Sequence, residues 1–188
     1  MSAQRTIAVI VGSLRKDSFN RKMAKALAAL APEAMKLTIV EIGDLPLYNQ
    51  DYDTASPPQY AAFRDKIRPA DAVLFVTPEY NRSVPGVLKN AIDVGSRPYG
   101  SSVWNGKPCA VVSVSPGAIG GFGANHHLRQ SLMFLNMPAM AQPEAYIGGA
   151  GDLFAEDGAI KVEATRDFMK KFMTAFAAWI ETTLPKKT

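Results

Sequence analysis

The chain has 188 residues, 47% of them hydrophobic and 20% charged, with 21 basic and 17 acidic side chains giving a formal net charge of +4. That is the composition of a globular chain able to bury a real core, read here as one domain over residues 1–188. The basic surplus leans mildly toward anionic ligands but falls well short of the dense stripe that grips nucleic acid, and no apolar run reaches membrane-spanning length. Cys109 is the only cysteine, so no internal disulfide can form, and residues 1–5 lack the apolar stretch of a secretion signal; a reducing, cytoplasmic setting is expected.

Residues 7–11 form a short apolar run expected as a buried strand. Residues 21–30 place Met23, Ala24, Leu27, Ala28 and Leu30 at helical spacing. Between them lie Gly12, Ser13, Leu14, Arg15, Lys16, Asp17, Ser18, Phe19 and Asn20. Loop amides and the first amides of a helix lack backbone partners, so a strand, a hydroxyl-rich loop and a helix in succession make a phosphate site. The plainer reading is that Ser18 or Asn20 caps the helix. Capping needs only one of them, whereas this loop crowds two hydroxyls, an amide and two cations into nine residues. The three-glycine dinucleotide fingerprint and the Gly-Lys-Ser/Thr ending of a triphosphate loop are both absent. No arginine follows Cys109 at phosphatase spacing. A single terminal phosphate, as on a mononucleotide, fits what is left.

A second strand is expected over 37–42, then a long loop over 43–58 carrying Pro46, Tyr48, Tyr52, Pro57 and Pro58, and a helix over 59–68. Residues 72–76 are the clearest buried strand, ending in a loop over 77–86 that leads to a helix over 87–95. A fourth strand is expected over 110–114, a glycine-rich loop over 115–123, a helix over 125–135, a fifth strand within 139–147 and a closing helix over 164–184. Strands alternating with helices predict a parallel sheet covered on both faces. With five of each, the expected fold is a flavodoxin-like doubly wound sheet of five parallel strands in the order 2-1-3-4-5, with helices on both faces. Ligands of such sheets sit beyond the carboxyl ends of the strands, where the loops after strands one, three and four fall.

In the second loop, Pro78 and Pro85 stiffen the ends, while Glu79, Tyr80, Asn81 and Ser83 offer a ring and polar atoms suited to a flat heterocycle; an ordinary turn capped by Ser83 is the plainer reading. The third loop brings Gly117, Gly120, Gly121 and Gly123, which allow close backbone approach but also suit a simple connection. His126 and His127 are adjacent, point about 100° apart on a helix and make a poor metal pair, so no metal site is expected. Cys109 reads as a small core residue; Phe168, Phe172, Phe176 and Trp179 read as a core stripe, and Lys186 and Lys187 as a solvated tail.

Gly12-Ser13-Leu14-Arg15, Ser18 and Asn20, followed by Pro78-Glu79-Tyr80-Asn81, Ser83, Pro85-Gly86 and Leu88-Lys89-Asn90-Ala91-Ile92-Asp93, resemble the NAD(P)H-dependent FMN reductase family, in its bacterial chromate/quinone reductase branch. The similarity extends over almost the whole chain, including residues 115–121 and His127-Leu128-Arg129-Gln130. It implies non-covalent FMN, with Ser13, Leu14, Arg15, Ser18, Phe19 and Asn20 around the phosphate. Pro78, Glu79, Tyr80, Asn81, Arg82, Ser115 and Gly117 would then lie at the ring. Val94 departs from the pattern, since many relatives carry a tryptophan there. The resemblance also implies NADPH or NADH as donor, a ping-pong exchange of hydride on one open flavin face, and acceptors such as quinones, chromate, azo compounds or flavins. No side chain need act as nucleophile or proton shuttle, so no catalytic residue is nominated. A homodimer or homotetramer is expected on the same ground, with Arg129 and Glu144 as contacts between subunits. The alternative is a flavodoxin-type electron carrier, which sandwiches its flavin between aromatic rings. Here Tyr80 could cover one side, and the third loop offers only Phe122 for the other.

Overall fold

Alternation along each strand divides the molecule into two cores. Ile7, Val9 and Val11 of β1 (Arg5–Val11) face one side of the sheet, and Ala8 and Ile10 face the other. The other strands are β2 (Met35–Val40), β3 (Ala72–Thr77), β4 (Cys109–Val114) and β5 (Ala145–Ile147). All are parallel, in the order β2-β1-β3-β4-β5, as the pattern of runs predicted. The helices are α1 (Phe19–Leu30), α2 (Pro58–Ile67), α3 (Gly86–Ser96), α4 (Phe122–Phe134) and α5 (Glu163–Thr183). Met23 and Leu27 of α1 pack with Phe172 and Phe176 of α5 on one face. Tyr60 and Phe63 of α2, Leu88 and Ile92 of α3, and Leu128 and Leu132 of α4 cover the other. The structure, a computed structural model, describes residues 4–186, so residues 1–3 and 187–188, with the Lys187 of the expected tail, lie outside it. No described helix is long and apolar enough to cross a membrane.

Element ends shift by one to three residues from expectation, among them the starts of β1 at Arg5 and α1 at Phe19, and the shifts of β2 and α4 have clear physical reasons. β2 begins at Met35 and ends at Val40 because its ladder with β1 runs from Arg5–Met35 to Ile10–Val40; Ile42 stays buried beyond the last pair. α4 begins at Phe122, three residues early, because Gly121 takes a left-handed φ of 77° and a distant carboxylate caps the helix. The 43–58 loop contains a short 3-10 turn (Gln50–Asp53) and is firmly tied. Asn90 accepts from the Tyr48 amide at 2.7 Å and donates to the Pro46 carbonyl at 2.9 Å. Tyr60 donates its hydroxyl proton to the Leu47 carbonyl at 2.9 Å, and Arg97 pairs with Asp53 at 2.7 Å.

In α5, Phe172 and Phe176 are fully buried, while Phe168 and Trp179 are partly so. Cys109 is buried, which pushes its thiol up to about 12. Val94 lies in the core, and next to it Gly95 lets the buried Trp104 ring approach so closely that a Cβ would sit 2.5 Å from it. At the amino edge of the sheet, the buried Arg5 guanidinium bonds Glu181 at 2.7 Å and the Pro185 carbonyl at 2.7 Å, with Asp71 at 3.5 Å. Lys107 donates to the carbonyls of Arg68 and Ala70 at 3.0 and 2.5 Å.

Candidate functional site

The loops after β1, β3 and β4 meet at the carboxyl edge of the sheet, where α1, α3 and α4 start. Gly12 donates its amide to the Val76 carbonyl at 2.9 Å, and a Cβ on Gly12 would come within 2.9 Å of Thr77 Oγ1. Only glycine lets these two chains lie so close. Gly12, Ser13, Leu14 and Arg15 then face Tyr80, Pro85, Gly86 and Val87 across a cleft of about 410 Å³.

Ser18 caps α1: it is extended at φ −71° and ψ 122°, and its Oγ accepts from the Arg21 amide at 3.2 Å. The capping reading is thus right for Ser18, and it leaves Ser13 and Asn20 free of that task. Ser13 is buried at the base of the cleft. Asn20 is buried too; its Nδ2 donates to the Val114 carbonyl at 3.2 Å, tying the first loop to the end of β4. Its Oδ1 is buried with no partner, a deficit worth about 1–3 kcal/mol. Among the described residues the amides of Ser13, Leu14 and Arg15 donate to no backbone carbonyl. A ligand carrying a phosphate and neighbouring hydroxyl groups satisfies both kinds of vacancy, the amides as donors and Asn20 Oδ1 as acceptor. Phe19 stacks on Phe154 with ring centroids 6.5 Å apart, and the Arg15 guanidinium lies over the Phe19 ring at 5.8 Å. Leu14 stays exposed.

The β3 loop closes in a tight turn over 80–83. Tyr80 and Ser83 exchange backbone hydrogen bonds of 3.1 and 2.9 Å, and Asn81 and Arg82 between them have φ of 50° and 64°. Positive φ at both central residues defines a type I′ turn. Asn tolerates this conformation; for a residue such as Arg82 it costs roughly 1–3 kcal/mol and persists only if the surroundings enforce it. The surroundings here are α4. His127 Nδ1 lies 3.0 Å from Ser83 Oγ, and Glu79 turns its carboxylate to α4, accepting from the Ala124 amide at 3.0 Å. Tyr80 is half-exposed beside the cleft.

In the β4 loop, Ser115 Oγ accepts from the Gly117 amide at 3.2 Å, and Gly117 is exposed. Gly120 has a φ of 64°, and a Cβ there would fall 2.5 Å from the Tyr146 backbone. Phe122 leaves this loop as the first residue of α4 and packs on His126 and Tyr146, with centroids 4.2 and 5.3 Å away. The two histidines diverge: His126 Nε2 lies 2.9 Å from the Tyr146 hydroxyl, away from the Ser83 contact of His127. Burial, helped by the neighbouring Glu144, pushes the Tyr146 phenol up to about 12. Arg129 is engaged within its own chain, with Asn125 Oδ1 at 2.9 Å and the Met140 carbonyl at 3.0 Å. Among the described residues no cluster of three or more His, Cys, Asp or Glu is placed to hold a metal.

Sequence reasoning brings the three loops to one edge, reads Gly123 as a loop glycine and Asn90 as part of a motif without giving either its structural role, and misses Arg64. Gly123 could have been singled out as a glycine inside a helical pattern. Arg64, whose side chain is buried and donates to the Val94 carbonyl at 2.9 Å, carried no local signal.

Comparison with known proteins places this architecture. Residues 5–152 match the family described as NADPH-dependent FMN reductase. A quinone reductase of Pseudomonas putida is 64% identical over 96% of this chain and 97% of its own length. A 2-hydroxy-1,4-benzoquinone reductase of a Burkholderia species is 52% identical over 93% of this chain and 95% of its own. Among solved structures, the flavoenzyme NAD(P)H:(acceptor) oxidoreductase FerB of Paracoccus denitrificans superposes with a TM-score of 0.90 at 46% identity, covering 95% of this chain and 98% of that one. With its three ligand loops, its sheet order and these relatives in agreement, the chain belongs to the NADPH-dependent FMN reductase family, whose chemistry uses FMN and a nicotinamide nucleotide.

Proposed function

We propose that the chain works as a single-domain NAD(P)H-dependent quinone reductase that holds FMN at the carboxyl edge of its sheet. The observation that carries this reading is the cleft between residues 12–15 and 80–87, lined on one side by amides without backbone partners, with the orphaned Asn20 Oδ1 following at the start of α1. The amides of Ser13, Leu14 and Arg15, with Ser18, Phe19 and Asn20, hold the phosphate and the first hydroxyls of its chain. Pro78, Glu79, Tyr80, Asn81 and Arg82, with Ser115 and Gly117, border the ring. When bound, FMN supplies the two-electron hydride chemistry that no side chain here can supply. The protein's part is to fix the ring's orientation and to place donors of the 80–83 turn along its polar edge, where negative charge develops on reduction.

One face is left open for reactants. Phe122, which could have closed a carrier-like aromatic sandwich, is spent on packing with His126 and Tyr146. That supports a reductase over an electron carrier, with donor and acceptor using the same face in turn as a ping-pong enzyme does. Arg15, Lys16 and Arg82 are exposed around the mouth, suited to the 2′-phosphate of NADPH while leaving NADH acceptable. Quinones are the proposed acceptors, with chromate, azo compounds and free flavins reduced by the same open face. The names of the Pseudomonas and Burkholderia relatives support the first of these.

A homodimer or homotetramer is part of the proposal. Met133 and Phe134 on α4 are 80% and 89% exposed, and Tyr99 beside Phe134 is 92% exposed, an apolar patch suited to a second copy. The lone buried cysteine supports a reducing, cytoplasmic setting.

The test is anaerobic. The purified protein, supplied with FMN, should show a flavin spectrum that bleaches with NADPH or NADH and recovers when a benzoquinone is added. A protein that stays colourless with FMN in excess would refute the cofactor site, and a coloured protein that nicotinamide cannot bleach would be a carrier.

A further inference from the structure

The Glu79 side chain does not point into the cleft. Only 13% of it is exposed, and both oxygens are engaged: Oε2 accepts from the Ala124 amide at 3.0 Å and Oε1 from Arg82 Nη1 at 3.3 Å. Ala124 is the third residue of α4, a helix whose N-cap, Gly121, has no side chain to offer. An acidic residue 45 positions earlier therefore does the work that a local serine or aspartate does elsewhere, and it also answers the positive end of the helix. Gly123 completes the joint. A Cβ there would stand 2.8 Å from the Arg82 carbonyl oxygen and 2.9 Å from Glu79 Oε2, so the turn and α4 can meet only over a glycine. Gly123 shows no positive φ; space, and not backbone conformation, demands it. The same turn carries the left-handed Asn81 and Arg82, and its far end is tied through Ser83 to His127 on α4.

We propose that Glu79 is a positioning residue: its bond to the α4 amino terminus, seated over Gly123, holds the 80–83 turn in its left-handed shape and so sets the ring-binding edge of the FMN site. The proposal rests on the functional reading above and adds to it how one loop gets its form from another. Glu79 acts through geometry, not through its charge on the ring. A neutral acceptor of the same length should therefore serve nearly as well.

The experiment titrates FMN into wild type, Glu79→Ala, Glu79→Gln and Gly123→Ala, follows flavin fluorescence, and measures the midpoint potential of the bound flavin. Apo-protein melting shows that each variant is folded. Glu79→Ala should raise the Kd about tenfold or more by freeing the turn. Glu79→Gln should recover the Kd to within about threefold of wild type and leave the flavin potential unmoved, since its amide oxygen still accepts from Ala124. Gly123→Ala, which removes nothing from the turn and raises helix propensity, should nonetheless weaken FMN about tenfold by wedging the joint. A Glu79→Gln variant as weak as Glu79→Ala, or one with a shifted potential, would show that the carboxylate acts by charge and overturn the proposal. Wild-type affinity in Gly123→Ala would also overturn it, whether or not Glu79→Ala folds. Wild type that fails to bind FMN would instead overturn the functional reading beneath it.

Discussion

The two edges of the sheet are built from the same strands and treat polar groups in opposite ways. At the amino edge, the buried guanidinium of Arg5 meets Glu181, Asp71 and the Pro185 carbonyl, and Lys107 caps the chain end after α2 through the Arg68 and Ala70 carbonyls. At the carboxyl edge, amides of the first loop lack backbone partners, Asn20 Oδ1 is buried unpaired, and two non-glycine residues hold positive φ. A fold has no reason to leave buried groups unpaired, since each costs free energy. Among the described residues, two buried side-chain atoms lack a partner: Arg64 Nη2 on α2, and Asn20 Oδ1 at the edge where α1 and α3 begin. Only the second stands beside loop amides that lack backbone partners, and that combination points to something the chain itself does not supply. The amino edge holds the fold together; the carboxyl edge carries an unpaired buried acceptor that the proposed FMN would satisfy.

Substitutions should separate the two. The largest effect is expected from Arg5→Ala, which removes the buried guanidinium that ties Glu181 and the Pro185 carbonyl at the end of α5 to the sheet, while Asp71 keeps its bonds from Thr6. It should lower unfolding free energy in urea by about 3 kcal/mol while FMN affinity in the folded protein stays within about twofold. Asn20→Ala should do the reverse. FMN binding should weaken about tenfold or more, and the apo protein should lose about 1 kcal/mol through the abandoned Val114 carbonyl. If Asn20→Ala destabilised the apo fold as much as Arg5→Ala and left FMN affinity alone, the contrast between the edges would collapse.

Smaller effects refine the picture. Ser18→Ala removes the one side-chain cap of α1 and should cost about 1 kcal/mol of thermal or urea stability. Smallest of all is the exposed Arg21–Glu41 pair, 2.6 Å apart. The hydrogen bond from Arg21, aided by its charge, holds Glu41 below the ordinary carboxylate value of 4.5. A carboxylate lowered on folding adds stability above its unfolded pKa, and that contribution fades as pH falls through the folded value. Glu41→Gln should thus cost under about 1 kcal/mol at pH 7, with the difference from wild type closing below pH 4.5 and shrinking in high salt.

Much of this arrangement was legible in the sequence because it depends on local pattern. Apolar runs alternating with helical spacing gave the strand order, and glycine, proline and hydroxyl residues marked the loops after β1, β3 and β4. What was not legible depends on contacts between distant residues. Ser18 announces its cap locally, but the cap of α4 comes from Glu79, so the helix start was placed three residues late. The 43–58 loop reads as open chain, yet Asn90 and Arg97, far along the sequence, pin it. Glu79 itself was expected at the ring because its motif suggested it, and only the fold reveals which way its carboxylate turns.

Amide hydrogen exchange with and without FMN tests the central contrast most directly. The account predicts that FMN slows exchange at Ser13, Leu14 and Arg15 and in the 80–87 segment, while Arg5, Asp71 and Lys107 at the opposite edge exchange as before. Protection spread evenly over both edges, or its absence from residues 13–15 in a protein that has bound FMN, would contradict it.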